Sequence, residues 1–241
     1  NSEELPSVLN MSEDDILALM PRMDWDRPPW NRWSFQRIRS LMPTAQVWRG
    51  NGKIMPIPRQ EKDISQIEFT RSNEVSQTIE AFLDDTYTDG FLVMADGYIV
   101  HESYHNGMQP ETPHLMQSVS KSITATVTGI MIGRGELDPS APVKTYVPEL
   151  AETAWAGATL QQVLDMTTGV QYSEEYTRLD SDVGKTDVAS GWRPIAPDAT
   201  PDIDWPSSVW DQILSLKTCD AEHGSRFLYR SIETDLLAHI M

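Results

Sequence analysis

Between His114 and Arg134 the sequence carries one charge, Lys121. The stretch opens polar, Gln117-Ser118-Val119-Ser120-Lys121-Ser122, and continues as Ile123-Thr124-Ala125-Thr126-Val127-Thr128-Gly129-Ile130-Met131-Ile132. A segment this long and nearly free of charge predicts a buried helix over 118–134, closed by Gly133 and Gly135. A lone cation at the mouth of such a segment calls for a reason, because desolvating a charge is costly. Ser118 and Lys121 stand three apart, so a helix puts both side chains on one face, about 5–6 Å apart at Cβ. There an amine can hold and deprotonate a hydroxyl that is a poor nucleophile on its own. The positive end of the helix dipole favours an alkoxide at Ser118 and disfavours the lysine cation. The plainer alternative is a serine that caps a helix and a lysine that reaches for water.

With 241 residues the chain has room for one large domain or two small ones, and 39% hydrophobic residues suffice for a core. The formal net charge of −17 argues against nucleic acid and anionic membrane as partners, since both are bound by basic patches. Cys219 is the single cysteine, so no internal disulfide can form. Nothing around it suggests an activated thiol. No apolar run reaches eighteen residues and no basic-then-apolar start is present. The expected compartment is the bacterial cytoplasm; a processed periplasmic or secreted protein would read the same. The five histidines show no metal-ligand spacing, so no metal and no cofactor is expected.

Residues 1–64 read as an irregular arm. Ser12 caps a short helix through Leu19, then Pro21, Pro28, Pro29, Trp25, Trp30 and Trp33 crowd together. A helix from Asn31 to Leu41 is expected, with Trp33, Ile38 and Leu41 on one side. Val75, Ile79, Phe82 and Leu83 recur at helical spacing behind a Ser72/Asn73 cap. Phe91–Ala95 and Tyr98–Tyr104 then read as a hairpin, 91–104, about an Asp96-Gly97 turn. Thr159 caps a helix from Leu160 to Met166, and Thr167-Thr168-Gly169 closes it. Residues 170–206 are polar, acidic and rich in Pro and Gly, a connection long enough to be functional or mobile. Ser208–Leu216 and Ile232–Met241 read as helices.

A second feature is Tyr229-Arg230-Ser231. A phenol near a serine–lysine pair can share its proton, and a hydroxyl two residues on can join the same network. Each feature alone is weak; together they point to a family. The Ser118–Lys121 helix start resembles that of the serine β-lactamases and penicillin-recognising enzymes. So do Gly135-Glu136-Leu137-Asp138 through Pro142-Val143, the string Tyr146-Val147-Pro148-Glu149-Leu150, and Thr159-Leu160 through Leu164-Asp165-Met166-Thr167-Thr168-Gly169. Order and spacing resemble the class C-like branch, whose second motif is Tyr-x-Asn. Here Ser231 stands in place of that asparagine, which suits the esterase and amidase members better than penicillin or cephalosporin turnover. Arg27-Pro28-Pro29-Trp30-Asn31-Arg32-Trp33, Leu41-Met42-Pro43-Thr44 and Val47-Trp48-Arg49-Gly50 resemble the arm of the 6-aminohexanoate-dimer hydrolases and their carboxylesterase relatives.

The resemblance implies an α/β (α+β) fold of the serine β-lactamase/DD-peptidase-like type. That fold is an antiparallel sheet flanked by helices plus a helical subdomain, occupied here by residues 65–241. It implies Ser118 as acyl-forming nucleophile, Lys121 and Tyr229 as proton carriers, and the Ser118 backbone N–H as half of an oxyanion hole. Tyr176, Asp187 and Trp192 stand where the subgroup holds its substrate, with Ser231 beside them. The family continues past the helix after Tyr229, with further sheet strands, a third motif and the second oxyanion donor. The expectation is therefore that the C-terminal strands lie outside this chain, that residues 1–241 alone lack a complete oxyanion hole, and that a C-terminal remainder of the same polypeptide is the one protein partner. The small-molecule partner would be an ester or amide. The rival readings are a β-lactamase or D-Ala-D-Ala peptidase, which nitrocefin turnover would separate, and a non-catalytic binding relative of the same fold.

Overall fold

The computed structural model describes residues 8–72, 75–195 and 203–241. The chain forms two compact units, divided between Leu115 and Met116; the arm expected over 1–64 lies within the first.

In the first unit the Trp/Pro-rich segment folds on itself. Helix α1 (Glu13–Leu19) starts at Ser12, whose hydroxyl accepts from the Asp15 N–H, with three carboxylates in its first turn. The expected helix from Asn31 to Leu41 is instead two one-turn helices, α2 (Asn31–Ser34) and α3 (Ile38–Leu41). Val8, Ile16, Trp30 and Trp33 are buried together as a small core. Strand β1 (Glu68–Thr70) pairs antiparallel with β2 (Ser76–Thr78). Helix α4 (Ile79–Asp85) begins behind Thr78, whose hydroxyl accepts from the Ala81 N–H. The expected cap was Ser72/Asn73, of which Asn73 lies outside the described residues. Thr78 wins because a β-branched hydroxyl residue fits the end of a strand and the start of a helix equally well. The hairpin forms as read: β3 (Gly90–Ala95) pairs antiparallel with β4 (Tyr98–Tyr104), with a register shift between Val93 and Met94. Asp96 and Gly97 both take positive φ, 51° and 82°, as a tight two-residue turn with the right twist requires.

The second unit is helical. Gln117–Val119 form a 3-10 turn that runs into α5 (Ser120–Gly133). The end of α5 is a Schellman closure: Gly135 N–H donates to Ile132 and Glu136 N–H to Met131, with Gly135 at φ 74°. The burial expected for this helix is not found. Thr128 is its single buried residue, while Val119, Ile123, Val127 and Ile130 are 41–60% exposed along one stripe. Absence of charge reports a segment's polarity, not its neighbours.

The core of this unit gathers under α6 (Leu160–Leu164) and α9 (Ile232–Ile240), with Trp155 wholly buried between loop and helix. The Trp155 indole N–H donates to the Ile213 carbonyl at 3.1 Å, so the one polar atom of the largest core side chain is satisfied. Thr159 and Gln162 form a capping box at the start of α6. The polar stretch 170–206 contains a helix that periodicity did not predict, α7 (Asp182–Ala189), started by Ser181; residues 196–202 of that stretch lie outside the described residues. Helix α8 (Val209–Ser215) starts behind Ser208. Among the described residues, no helix is long and apolar enough to cross a membrane.

Candidate active site

Ser118 lies in the 3-10 turn, just after Gln117, which takes a left-handed φ of 48°. That conformation is costly for a side chain with a Cβ. It presents the Ser118 hydroxyl at the mouth of α5. Lys121, one turn later, points its Nζ at the Ser118 Oγ at 3.2 Å. The Tyr229 hydroxyl donates to the same oxygen at 2.9 Å, across 111 residues of sequence. Lys121 Nζ also sits 5.9 Å from the centroid of the Tyr229 ring. Amine, phenol and hydroxyl thus meet at one oxygen, within reach for proton exchange.

A second set adjoins through Ser231. Its hydroxyl is 3.4 Å from the Tyr176 hydroxyl and donates to Glu174 Oε2 at 3.2 Å. The Ser231 N–H donates to the other Glu174 oxygen. Burial, then the bond to Glu174, pushes the Tyr176 phenol up to about 12, so it stays a donor at neutral pH. Glu174 joins this candidate set through Ser231 and was not singled out from the sequence, because a glutamate in an acidic loop looks like solvated surface. Desolvation raises Asp235 on α9, with the Lys121 charge pulling the other way and Glu174 adding to the rise.

The other two expected substrate residues, Asp187 and Trp192, lie in the last turn of α7 and just past it. Asp187 pairs with Arg193 Nε at 3.3 Å, and its carbonyl accepts the Trp192 and Arg193 N–H groups. Among the described residues no group of three or more His, Cys, Asp or Glu side chains could hold a metal ion.

Behind Tyr229 the chain buries charge. Arg230 and Glu233 are both 0% exposed. Arg230 pairs with Asp220 at 3.0 Å and lies 3.8 Å from Glu233, which accepts from the Thr168 hydroxyl at 2.7 Å. Burial pushes the Glu233 carboxyl up to about 8, against the pull of Thr168 and Arg230. A carboxyl raised on folding contributes stability that is fully present below its ordinary range and is lost as pH rises through about 8. Urea unfolding should therefore show the native chain losing stability relative to Glu233→Gln from pH 5 to 8.5, by at most about 1.4 kcal/mol per pH unit. A pH-independent difference would contradict this.

The Beta-lactamase family profile matches residues 75–241. The chain belongs to the beta-lactamase family. It is 37% identical to the 6-aminohexanoate-dimer hydrolase of Paenarthrobacter ureafaciens over 222 residues, 92% of this chain and 53% of that protein. Among solved structures, a provisionally named 6-aminohexanoate-dimer hydrolase from Bacillus anthracis superposes with a TM-score of 0.79. It is 26% identical, over 95% of this chain and 57% of that one. The chain thus spans little more than half the length of the beta-lactamase relatives it matches. Its fold is the serine β-lactamase/DD-peptidase-like mixture of helices and antiparallel sheet expected from the sequence.

Proposed function

We propose that this beta-lactamase-family chain carries the nucleophile of a serine hydrolase that cleaves a small ester or amide through a covalent acyl-enzyme. The observation that supports it most is the convergence of Lys121 and Tyr229 on one oxygen, the Ser118 Oγ, at 3.2 and 2.9 Å. Ser118 attacks the carbonyl carbon, forming a C–O bond. Its proton passes to Lys121, assisted by Tyr229, and is returned to the leaving oxygen or nitrogen as the acyl–leaving-group bond breaks. Water then takes the serine's place and releases the acid. The start of α5 favours the negative charge that develops there.

The likeness to proteins named 6-aminohexanoate-dimer hydrolases favours an aliphatic amide or ester over a β-lactam. Tyr176 supports the amide. Its phenol keeps its proton and stands beside Ser231, suited to give a hydrogen bond to a leaving nitrogen while the proton itself comes through Lys121. The test compares p-nitrophenyl butyrate, the linear 6-aminohexanoate dimer and nitrocefin. Release from the ester or the amide, lost on Ser118→Ala and slowed by the half oxyanion hole that residues 1–241 supply, is the expected result. Turnover of nitrocefin alone, or ester cleavage that survives Ser118→Ala, would overturn the reading.

A further inference from the structure

Tyr229 sits where no regular structure holds it. Residues 226–230 are in neither helix nor strand, so no ladder of backbone bonds fixes the phenol's place. Its backbone neighbours are tied at two points: the Leu228 N–H donates to Met166 at 3.0 Å, and the Arg230 carbonyl accepts from Glu233 at 3.2 Å. Side chains bear the rest. Successive residues in an extended segment point to opposite faces. Tyr229 reaches Ser118, and Arg230 turns inward and is wholly buried.

One carboxylate grips both flanks of the tyrosine. Asp220 Oδ2 lies 3.3 Å from Arg226 Nη2, and Asp220 Oδ1 lies 3.0 Å from Arg230 Nη2. Arg230 Nη1 also donates to the Leu228 carbonyl at 3.2 Å, closing a ring of contacts about Tyr229. Asp220 is itself anchored. Its N–H donates to Gly169 at 2.8 Å, and Cys219 bridges Val170. Gly169 has φ 67°, and a Cβ there would stand 2.3 Å from the Ala221 carbonyl oxygen. That turn admits no side chain, so the close backbone approach that ties Asp220 to residue 169 requires a glycine there.

We propose that Asp220, through Arg226 and Arg230, is a positioning residue that sets the Tyr229 hydroxyl against Ser118. The inference rests on the reading of Ser118 and Tyr229 as nucleophile and proton carrier. A buried ion pair serving stability alone would leave the phenol's contact and the acylation rate unmoved. A positioning pair moves both, because a misplacement of about 1 Å at reacting groups can cost on the order of 10²-fold in rate.

The experiment compares the native chain with Asp220→Asn, a half-exposed change that keeps an acceptor for Arg230. The readouts are the 13Cζ tyrosine resonance of Tyr229, assigned with Tyr229→Phe, and the saturation kinetics of Ser118 labelling by a fluorophosphonate. In folded Asp220→Asn the resonance should shift. The maximal labelling rate should fall about 10²-fold with the half-saturating concentration unchanged. An unmoved resonance with an unchanged rate would overturn the inference. Should Asp220→Asn not fold, Arg226→Gln, on the exposed arm of the clamp, is expected to move both readouts the same way by less; no movement there would overturn it. If the native chain shows no Ser118-dependent labelling, the functional reading fails, and the Tyr229 resonance alone decides the positioning role.

Discussion

Replacing Lys121 by alanine is expected to slow acylation of Ser118 by about 10³-fold, the middle of the range for a positioned general base. Lys121 Nζ is 3.2 Å from the Ser118 Oγ. No histidine contacts that oxygen in the described structure, so the amine is the base the geometry offers. Lys121→Arg makes the sharper comparison. It supplies a positive charge and a hydrogen-bond donor, but a guanidinium does not give up its proton in a protein. Lys121→Arg is expected to be about as slow as Lys121→Ala. A rate within about tenfold of native in Lys121→Arg would mean the lysine acts as a charge and not as a proton acceptor. Stopped-flow acylation by a p-nitrophenyl ester reads the difference without requiring the second, hydrolytic half of the cycle.

Tyr229→Phe removes one hydroxyl and leaves the ring. The lost bond to Ser118 is 2.9 Å long and lies at the accessible end of the site. Its net contribution to stability is about 1 kcal/mol or less, so the variant should unfold at nearly the native urea concentration. Its effect on acylation should be far larger, about 10²–10³-fold, because the phenol acts on the oxygen where charge develops. Stability and rate thus separate. A Tyr229→Phe variant that acylates as fast as native would remove Tyr229 from the proton path and leave Lys121 alone as base.

What could be read from the sequence follows from how local each signal is. The hairpin was legible because Asp96-Gly97 carries the positive φ values in its own residue types. Thr159, Ser208 and Ser12 marked helix starts because a cap needs only its own hydroxyl and the amides just ahead. Ser118 and Lys121 were legible by spacing, and Tyr229 by resemblance; no local rule predicts a contact over 111 residues. The environment of Arg230 and Glu233 was not legible. Two charges in a polar run look solvated, and their burial depends on the Thr168 turn and Asp220 arriving from elsewhere. Glu174 was missed for the same reason. Helix α7 escaped because Asp182–Ala189 buries Val183, Gly184 and Thr186, a stripe too polar for hydrophobic periodicity to register. The Ser181 cap was the signal that could have found it.

In the proposed mechanism the atom that becomes acylated is the Ser118 Oγ. Peptide mapping of the native chain after brief reaction with a fluorophosphonate locates that atom. The predicted result is a single phosphonyl adduct on Ser118, absent from Ser118→Ala and formed far more slowly in Lys121→Ala. An adduct on any other residue, or labelling of Ser118→Ala at the native rate, would contradict Ser118 as the nucleophile.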